Sequence, residues 1–314
     1  MKIHLITNCS KNKRNVISAS TAMLSEIKET TTYSRVNAWL KHINKCEKRV
    51  SALDLYVGEH WSVAKEEYYR DRMLWIISAG WGVINAETSI CPYDATFSKG
   101  DDNSIFRSGN DEDGSIINQN REWWKILHEK RSLDLSLEKI FNEFSGDCFF
   151  IAASPQYLNV IEPELIDLKE NGVITSENTF VITSGKGINK KLKDLQYLVS
   201  EDFCSTLGGS RISLNIRLAR YLMDDSESAK DIKTFVENKY SSLWDSAEPA
   251  KKYNRKKLCD DEVIILIKKM IEFENINSAS GGLKELRKSG MACEQKRFGR
   301  LFNKTKEEIS TPNI

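Results

Sequence analysis

Residues 73–97 read MLWIISAGWGVINAETSICPYDATF. Met73–Ala79 is an unbroken apolar run, too short to cross a bilayer and of the length of a fully buried strand in a parallel sheet. Gly80-Trp81-Gly82 follows. Two glycines around an indole allow a sharp turn and close backbone approach, and they set a large flat ring near the strand's carboxyl end. In open α/β sheets that end is where ligands bind. Cys91-Pro92-Tyr93-Asp94 is then a rigid turn delivering a phenol and a carboxylate. The competing reading is a buried strand followed by an ordinary proline turn.

Working outward, Lys2–Thr7 is a short β-type run that opens at once into Asn8-Cys9-Ser10-Lys11-Asn12-Lys13. A polar, basic loop after a strand is a candidate anion contact, through its backbone N–H groups and lysine charge. Residues 15–46 read as helical, with Trp39 and Leu40 on an apolar face. Ser51–Val57 reads as a strand edge or turn, with Asp54 and Tyr56 on one side by period-2 alternation. His60 and Trp61 open a helix to about Arg72. Residues 98–114 are polar, acidic and aperiodic, an exposed loop or a lid beside the Asp94 turn. Helices are expected at 116–131 and 133–144. Cys148–Ala153 is a second buried strand, and Ser154-Pro155 after it is a helix start, with serine as N-cap and proline in the first turn. Thr179–Thr183 is a third strand, ending in Ser184-Gly185-Lys186-Gly187. Ser210-Arg211 precedes a helix over 212–224, where a cation at the N-terminus is unfavourable unless an anion is shared. A further helix spans 228–243. Strands alternating with helices specify an α/β fold with a mostly parallel sheet flanked by helices.

The helical pattern breaks near Ala247–Tyr253, which divides the chain into an α/β domain, 1–247, and a small C-terminal helical domain, 248–314. Charge divides there as well. Residues 251–314 carry 15 Lys+Arg against 9 Asp+Glu, a net of +6, so the preceding 250 residues carry 31 against 36, a net of −5. A basic tail on a nearly neutral body suggests a polyanionic partner. Helices are expected at Asp260–Glu272, 283–288 and 292–308, with Gly281-Gly282 introducing the second. Arg287 lies on the second, and Lys296, Arg297, Arg300 and Lys304 make one face of the third basic. That is the outline of a helix-turn-helix, or of a small packing domain with a solvated basic helix.

The seven cysteines are odd in number and scattered without a CxxC pair, which argues against a disulfide framework and a zinc site. The four histidines form no HxxxH pattern. Neither metal nor organic cofactor is expected. With no signal-like apolar segment at its start and no apolar run near about 20 residues, the protein is expected to be cytoplasmic.

Cys9-Ser10-Lys11-Asn12-Lys13, Asp54-Leu55-Tyr56, Ile77–Ile84 and Pro92-Tyr93-Asp94 resemble the peroxide-stress YaaA family and a related bacterial group carrying a Cys-Ser-Lys-x-Lys motif. The resemblance covers about the first 100 residues, and Ser184-Gly185-Lys186 and Gly209–Asn215 are weaker continuations. YaaA-type proteins have arginine after Pro-Tyr where this chain has Asp94. The resemblance implies a uracil-glycosylase-type α/β fold, with relatives near 7-deazaguanine modification enzymes and among antiviral DNA glycosylases.

N-glycosidic cleavage needs a carboxylate to orient water or stabilise an oxocarbenium-like sugar, and aromatic rings to receive a flipped base. Asp94 is the first candidate carboxylate and Asp54 the second. Asn8 can read a base or position water. Trp81, Tyr93 and Tyr56 are the base-binding candidates. Ser10, Lys11, Ser154, Lys186, Ser210 and Arg211 would grip phosphates, and Arg287, Lys296, Arg297 and Arg300 would bind duplex DNA in a salt-sensitive, sequence-tolerant way. Each has a plainer role: the aspartates as turn caps, Trp81 as core, Lys11 in solvent. The expected function is a DNA glycosylase acting on a modified base, as in defence against phage. A non-enzymatic DNA-binding stress protein and a base-modifying transferase are the alternatives. A Ser or Cys hydrolase fits worst, because no GxSxG exists and no histidine is placed to activate Cys9.

Overall fold

The computed structural model describes residues 1–14, 21–107, 115–131, 135–185, 189–250 and 254–310. The chain forms two compact units, Met1–Ala250 and Lys251–Ile314. No helix among the described residues is long and apolar enough to cross a membrane.

The first unit is built on six strands: β1 (Ile3–Asn8), β2 (Met73–Ser78), β3 (Gly82–Asn85), β4 (Cys148–Ala152), β5 (Thr179–Thr183) and β6 (Gln196–Leu198). Their order is β6-β5-β4-β1-β2-β3, parallel throughout except for the β2–β3 hairpin. Every residue of β4 and β5 is buried. Both faces of the sheet are covered, so these strands read as continuous apolar runs rather than as alternations. From β1 the chain builds outward to β2 and β3 on one side, then to β4, β5 and β6 on the other. The topological switch point therefore lies at β1 and β4, and ligands of such sheets bind outside the strand ends there.

Among the described residues the longer helices that clothe the sheet are α1 (Thr32–Asn44), α2 (Glu59–Tyr68), α3 (Ile116–Arg131), α4 (Pro155–Glu170), α5 (Leu214–Met223) and α6 (Ile232–Asp245), with a shorter one at Leu137–Glu143 inside the expected 133–144. α3 packs against α1 and α4, whereas α2 packs on α5, which covers β4 and β5. Trp39 of α1 and Trp123 of α3 are wholly buried, and their indole N–H groups donate to the Gly80 and Ala79 carbonyls at 2.8 and 2.9 Å. Each ring thereby contributes a large apolar area and also satisfies a carbonyl at the end of β2.

Several expectations are corrected. Of the two readings of Ser51–Val57, strand edge or turn, the turn is found: Ala52–Leu55 form one helical turn capped by the Ser51 side chain, Val50–Ser51 pair with Ser89–Ile90, and Tyr56 makes a single bridge to Lys13. Within 15–46 the helix is confined to Thr32–Asn44, after a two-residue strand at Ala22–Met23 and a 3-10 turn at Leu24–Glu26, while residues 15–20 lie outside the described residues. The argument against disulfides is overturned at one pair. Cys46 and Cys91 are bonded, with Cα atoms 5.9 Å apart, and five cysteines are free. The Cys9, Cys148 and Cys293 side chains are buried.

The second unit has helices α7 (Asp260–Phe273), α8 (Ala279–Lys288) and α9 (Gln295–Ser310), and a parallel bridge of Lys256–Lys257 with Met291–Ala292. Val263, Ile267, Leu286, Phe298 and Phe302 form its core. Gly281 and Gly282 do not precede the second helix, as expected, but lie in its first turn behind the Ser278 cap. A Cβ on Gly282 would come within 3.1 Å of the Phe302 ring and 3.2 Å of Phe298. The missing side chain is what lets α8 approach α9.

Candidate active site at the carboxyl edge of the sheet

Two residues past the core of β1, the chain is tied to both neighbouring strands. Asn8 Oδ1 accepts the Ser154 N–H at 2.9 Å across the switch point, and the Cys9 N–H donates to the Ile77 carbonyl at 3.0 Å. Beneath them Thr7 Oγ1 donates to the Ala152 carbonyl at 2.6 Å and meets His60 Nε2 at 2.8 Å. Its one proton is committed to the carbonyl, so His60 must donate from Nε2 and is held as that neutral tautomer. Burial pushes the His60 pKa down to about 4.

The loop after β1 then runs against residues 55–57. Arg14 N–H donates to the Leu55 carbonyl, Val57 N–H to the Asn12 carbonyl, and Ser10 Oγ to the Val57 carbonyl at 3.0 Å. Lys13 bridges Tyr56 in this ladder, and its ammonium turns inward, 4.4 Å from the centre of the Tyr93 ring and 5.9 Å from that of Tyr56. Burial lowers the Lys13 pKa, while the Cys9 and Asp94 side chains oppose that shift. Lys11 points the other way, exposed and paired with Asp101.

Under Lys13 lies a chain of hydroxyls. Tyr56 Oη and Tyr93 Oη are 2.8 Å apart, Tyr93 Oη and Ser78 Oγ 2.7 Å apart, and the Trp81 N–H donates to Ser78 Oγ at 3.1 Å. Cys9 Sγ meets Tyr157 Oη at 3.1 Å. Burial raises the pKa of Tyr56, Tyr93 and Tyr157 well above that of a free phenol, so all three remain neutral donors. Tyr93 fits only because residue 80 is glycine, since a Cβ there would lie 2.6 Å from its ring.

Asp94 follows directly. Its Oδ2 accepts from Asn103 Nδ2 at 2.9 Å, and its Oδ1 is buried with no hydrogen-bond partner among the described residues. A buried carboxylate oxygen without a donor is costly, and it is an acceptor left open near this edge of the sheet. Asn103 is itself fixed, because its Oδ1 accepts the Ser25 N–H and its backbone carbonyl accepts the Thr96 N–H. Arg35 further binds the Ser104 and Ile105 carbonyls. The described part of the expected loop or lid is thus fastened to the body, and residues 108–114 lie outside the described residues.

The expected residues therefore divide. Asn8, Ser10, Tyr56, Tyr93, Asp94 and Ser154 gather around the ends of β1, β2 and β4. Asn8 is not free to act as a catalytic group, because its Nδ2 donates to the Cys9 carbonyl and its Oδ1 is taken by Ser154. Ser10 closes the loop rather than meeting a ligand, and Ser154 caps α4 by backbone position, with no capping hydrogen bond from its side chain. Tyr56 and Tyr93 are wholly buried and Trp81 is 2% exposed, so none offers a free face to a base. Asp54 is exposed and accepts from Ser51 Oγ at 2.8 Å, so its carboxylate holds the serine that caps the turn. Arg211 pairs with Glu201 at 3.0 Å, while the Ser210 N–H donates to Glu59 at 2.9 Å, so the anions at that turn are the chain's own. Lys186 lies outside the described residues. Sequence reasoning missed Lys13, Ser78, Asn103 and Tyr157. Lys13 stands inside the quoted motif, but only the bridge to Tyr56 shows which of its two lysines turns inward.

In the second unit a groove of about 670 Å³ is lined by Arg255, Lys284, Arg287 and Lys288, with Ser280 and Gln295 beside them and no acidic residue in the lining. Arg287 is therefore part of a surface rich in cations from α8 and the segment before α7, of which Lys288 is paired with Glu285 at 2.8 Å. The third helix contributes less than expected. Arg297 is paired with Asp260 at 2.5 Å and Lys304 with Glu308 at 3.9 Å, leaving Lys296 and Arg300 exposed on α9. No family model matches the chain, and no curated protein matches it either.

Proposed function

We propose that the chain is a DNA glycosylase, which hydrolyses the N-glycosidic bond of a flipped, modified base and leaves an abasic site. The observation that carries this reading is Asp94: one oxygen fixed by Asn103, the other buried and unbonded, at the carboxyl edge of a parallel sheet beside a buried ammonium. In such a mechanism the free oxygen of Asp94 orients water towards the sugar carbon as the bond to the base breaks, and its charge stabilises the cationic sugar. Lys13 brings positive charge to the same place, suited to a departing base that carries away the bonding electrons. The cationic groove of the second unit supplies salt-sensitive affinity for the backbone.

A second reading, a DNA-binding protein without catalysis, is favoured by the complete burial of Tyr56 and Tyr93, which fill the space a base would need. Lesion formation separates the two. DNAs carrying ordinary bases, uracil, glucosylated hydroxymethylcytosine or deazaguanine are incubated with the protein, treated with alkali and run on a denaturing gel. Breaks in one DNA, lost in Asp94→Asn, support the glycosylase and name its base. Intact strands with salt-sensitive gel shifts support the binding protein.

A further inference from the structure

Trp81 lies between β2 and β3, and two guanidinium groups sit on its ring. Arg131, the last residue of α3, has Cζ 4.6 Å from the ring centre, and Arg49, before Val50, has Cζ 5.5 Å from it. Like charges brought to one indole repel, yet among the described residues neither arginine is ion-paired with a carboxylate. Arg131 gives one N–H to the Trp81 carbonyl. Burial, and then the charge of Arg49, push its pKa down to about 10. The indole Nε1 is buried with no hydrogen-bond partner among the described residues. Apart from the Arg131 N–H given to the Trp81 carbonyl, no hydrogen bond among the described residues takes up the guanidinium N–H groups, which are the donors with which arginine binds an oxyanion bidentately. The ring is also joined to the candidate site, since its backbone N–H reaches Tyr93 through Ser78, and Asp94 is the next residue.

We infer that Arg49 and Arg131, brought together at Trp81, form a phosphate-binding site that holds the nucleic-acid backbone beside the nucleotide presented to Asp94. The assignment rests on the nucleic-acid reading proposed above, but not on excision chemistry. A diester phosphate bound here would relieve the repulsion of the two cations and exchange condensed counterions for fixed guanidinium groups.

The test is the binding of fluorescein-labelled duplex and single-stranded oligonucleotides to the full chain, followed by anisotropy over a range of salt concentrations. Arg49→Gln, on an exposed side chain, is the primary variant. Arg131→Gln is the second, and thermal unfolding of each verifies that it is folded. The expected result is weaker binding to every sequence, with the slope of log affinity against log salt reduced by about one for each arginine. Arg49→Lys restores the slope, because it keeps the charge. Unchanged affinity and slope in both folded variants would overturn the assignment, as would a parent chain that binds neither oligonucleotide. If oligonucleotide binding is unaltered but inorganic phosphate raises the unfolding temperature of the parent and not of Arg49→Gln, the site takes a free phosphate and the backbone assignment fails. Arginine-dependent binding without alkali-labile lesions keeps the site and removes the glycosylase. Lesions formed equally by parent and variants, with unaltered binding, keep the glycosylase and remove the site.

Discussion

The ammonium of Lys13 lies 4.4 Å from the centre of the Tyr93 ring, so a cation is buried on the residue that precedes the candidate carboxylate. Its interaction with the ring, about 1–2 kcal/mol, offsets only part of the cost of taking an ammonium out of water. Lys13 is therefore expensive to the fold. Lys13→Met keeps the length of the side chain and removes the charge. Its unfolding free energy by urea titration is expected to equal or exceed that of the parent, while alkali-labile lesions disappear. A variant that is both less stable and fully active would show that the charge serves packing alone.

Gly80 exists for Tyr93. Gly80→Ala must displace either the Tyr93 ring or Trp39, whose ring atom lies 3.0 Å from the added carbon. A loss of about 1–3 kcal/mol is expected by chemical denaturation. Gly146→Ala is the control, because nothing lies within 4 Å of its added carbon, and it should change stability by less than about 0.5 kcal/mol.

Acid stability has two components. Burial holds the His60 pKa at about 4 against an ordinary 6.5. Hydrogen bonds from Ser210, and then from Arg217, hold Glu59 at about 2 against 4.5. Both groups bind protons more readily when unfolded, so their stabilisation is complete above the unfolded values and is lost as pH falls. His60 acts from 6.5 down to about 4, and Glu59 from 4.5 down to about 2. Urea midpoints measured at stepped pH should lose the upper limb in His60→Gln and the lower limb in Glu59→Gln.

Reduction should weaken the first unit. The Cys46–Cys91 bond closes a loop across a sequence separation of 45, and opening it should cost about 2–4 kcal/mol of unfolding free energy. Thiol titration of the denatured, unreduced protein should find five groups, and seven after reduction.

What could be read from the sequence was whatever depends on a run of neighbours. Met73–Ser78, Cys148–Ala152 and Thr179–Thr183 are continuous apolar stretches, and each is a strand of the parallel sheet. Ser51–Val57 stayed open between strand edge and turn because SALDLYV alternates over so few residues that a helical turn with Asp54 outward satisfies the same pattern. Lys11 and Lys13 differ by two positions and read alike, yet one is exposed and the other turns onto Tyr93. The rings of Tyr56 and Tyr93 invited a stacking role because they stand at strand ends, but depth below the surface is a property of everything packed around them. Arg49 and Arg131 drew no attention at all, since they meet on Trp81 from segments far apart in the chain.

The central position of β1 bears on how the protein is made. Its partners are Met73–Ile77 on one edge and Cys148–Ala152 on the other, the latter 145 residues further along. A ribosome delivers the middle of the sheet before either side. Until β4 is synthesised, an apolar strand has one edge open to other chains, and closing that gap is slow because long-range parallel pairing must be made against loop entropy. Holding Ile3–Asn8 out of trouble during translation is thus a requirement that this strand order places on the cell.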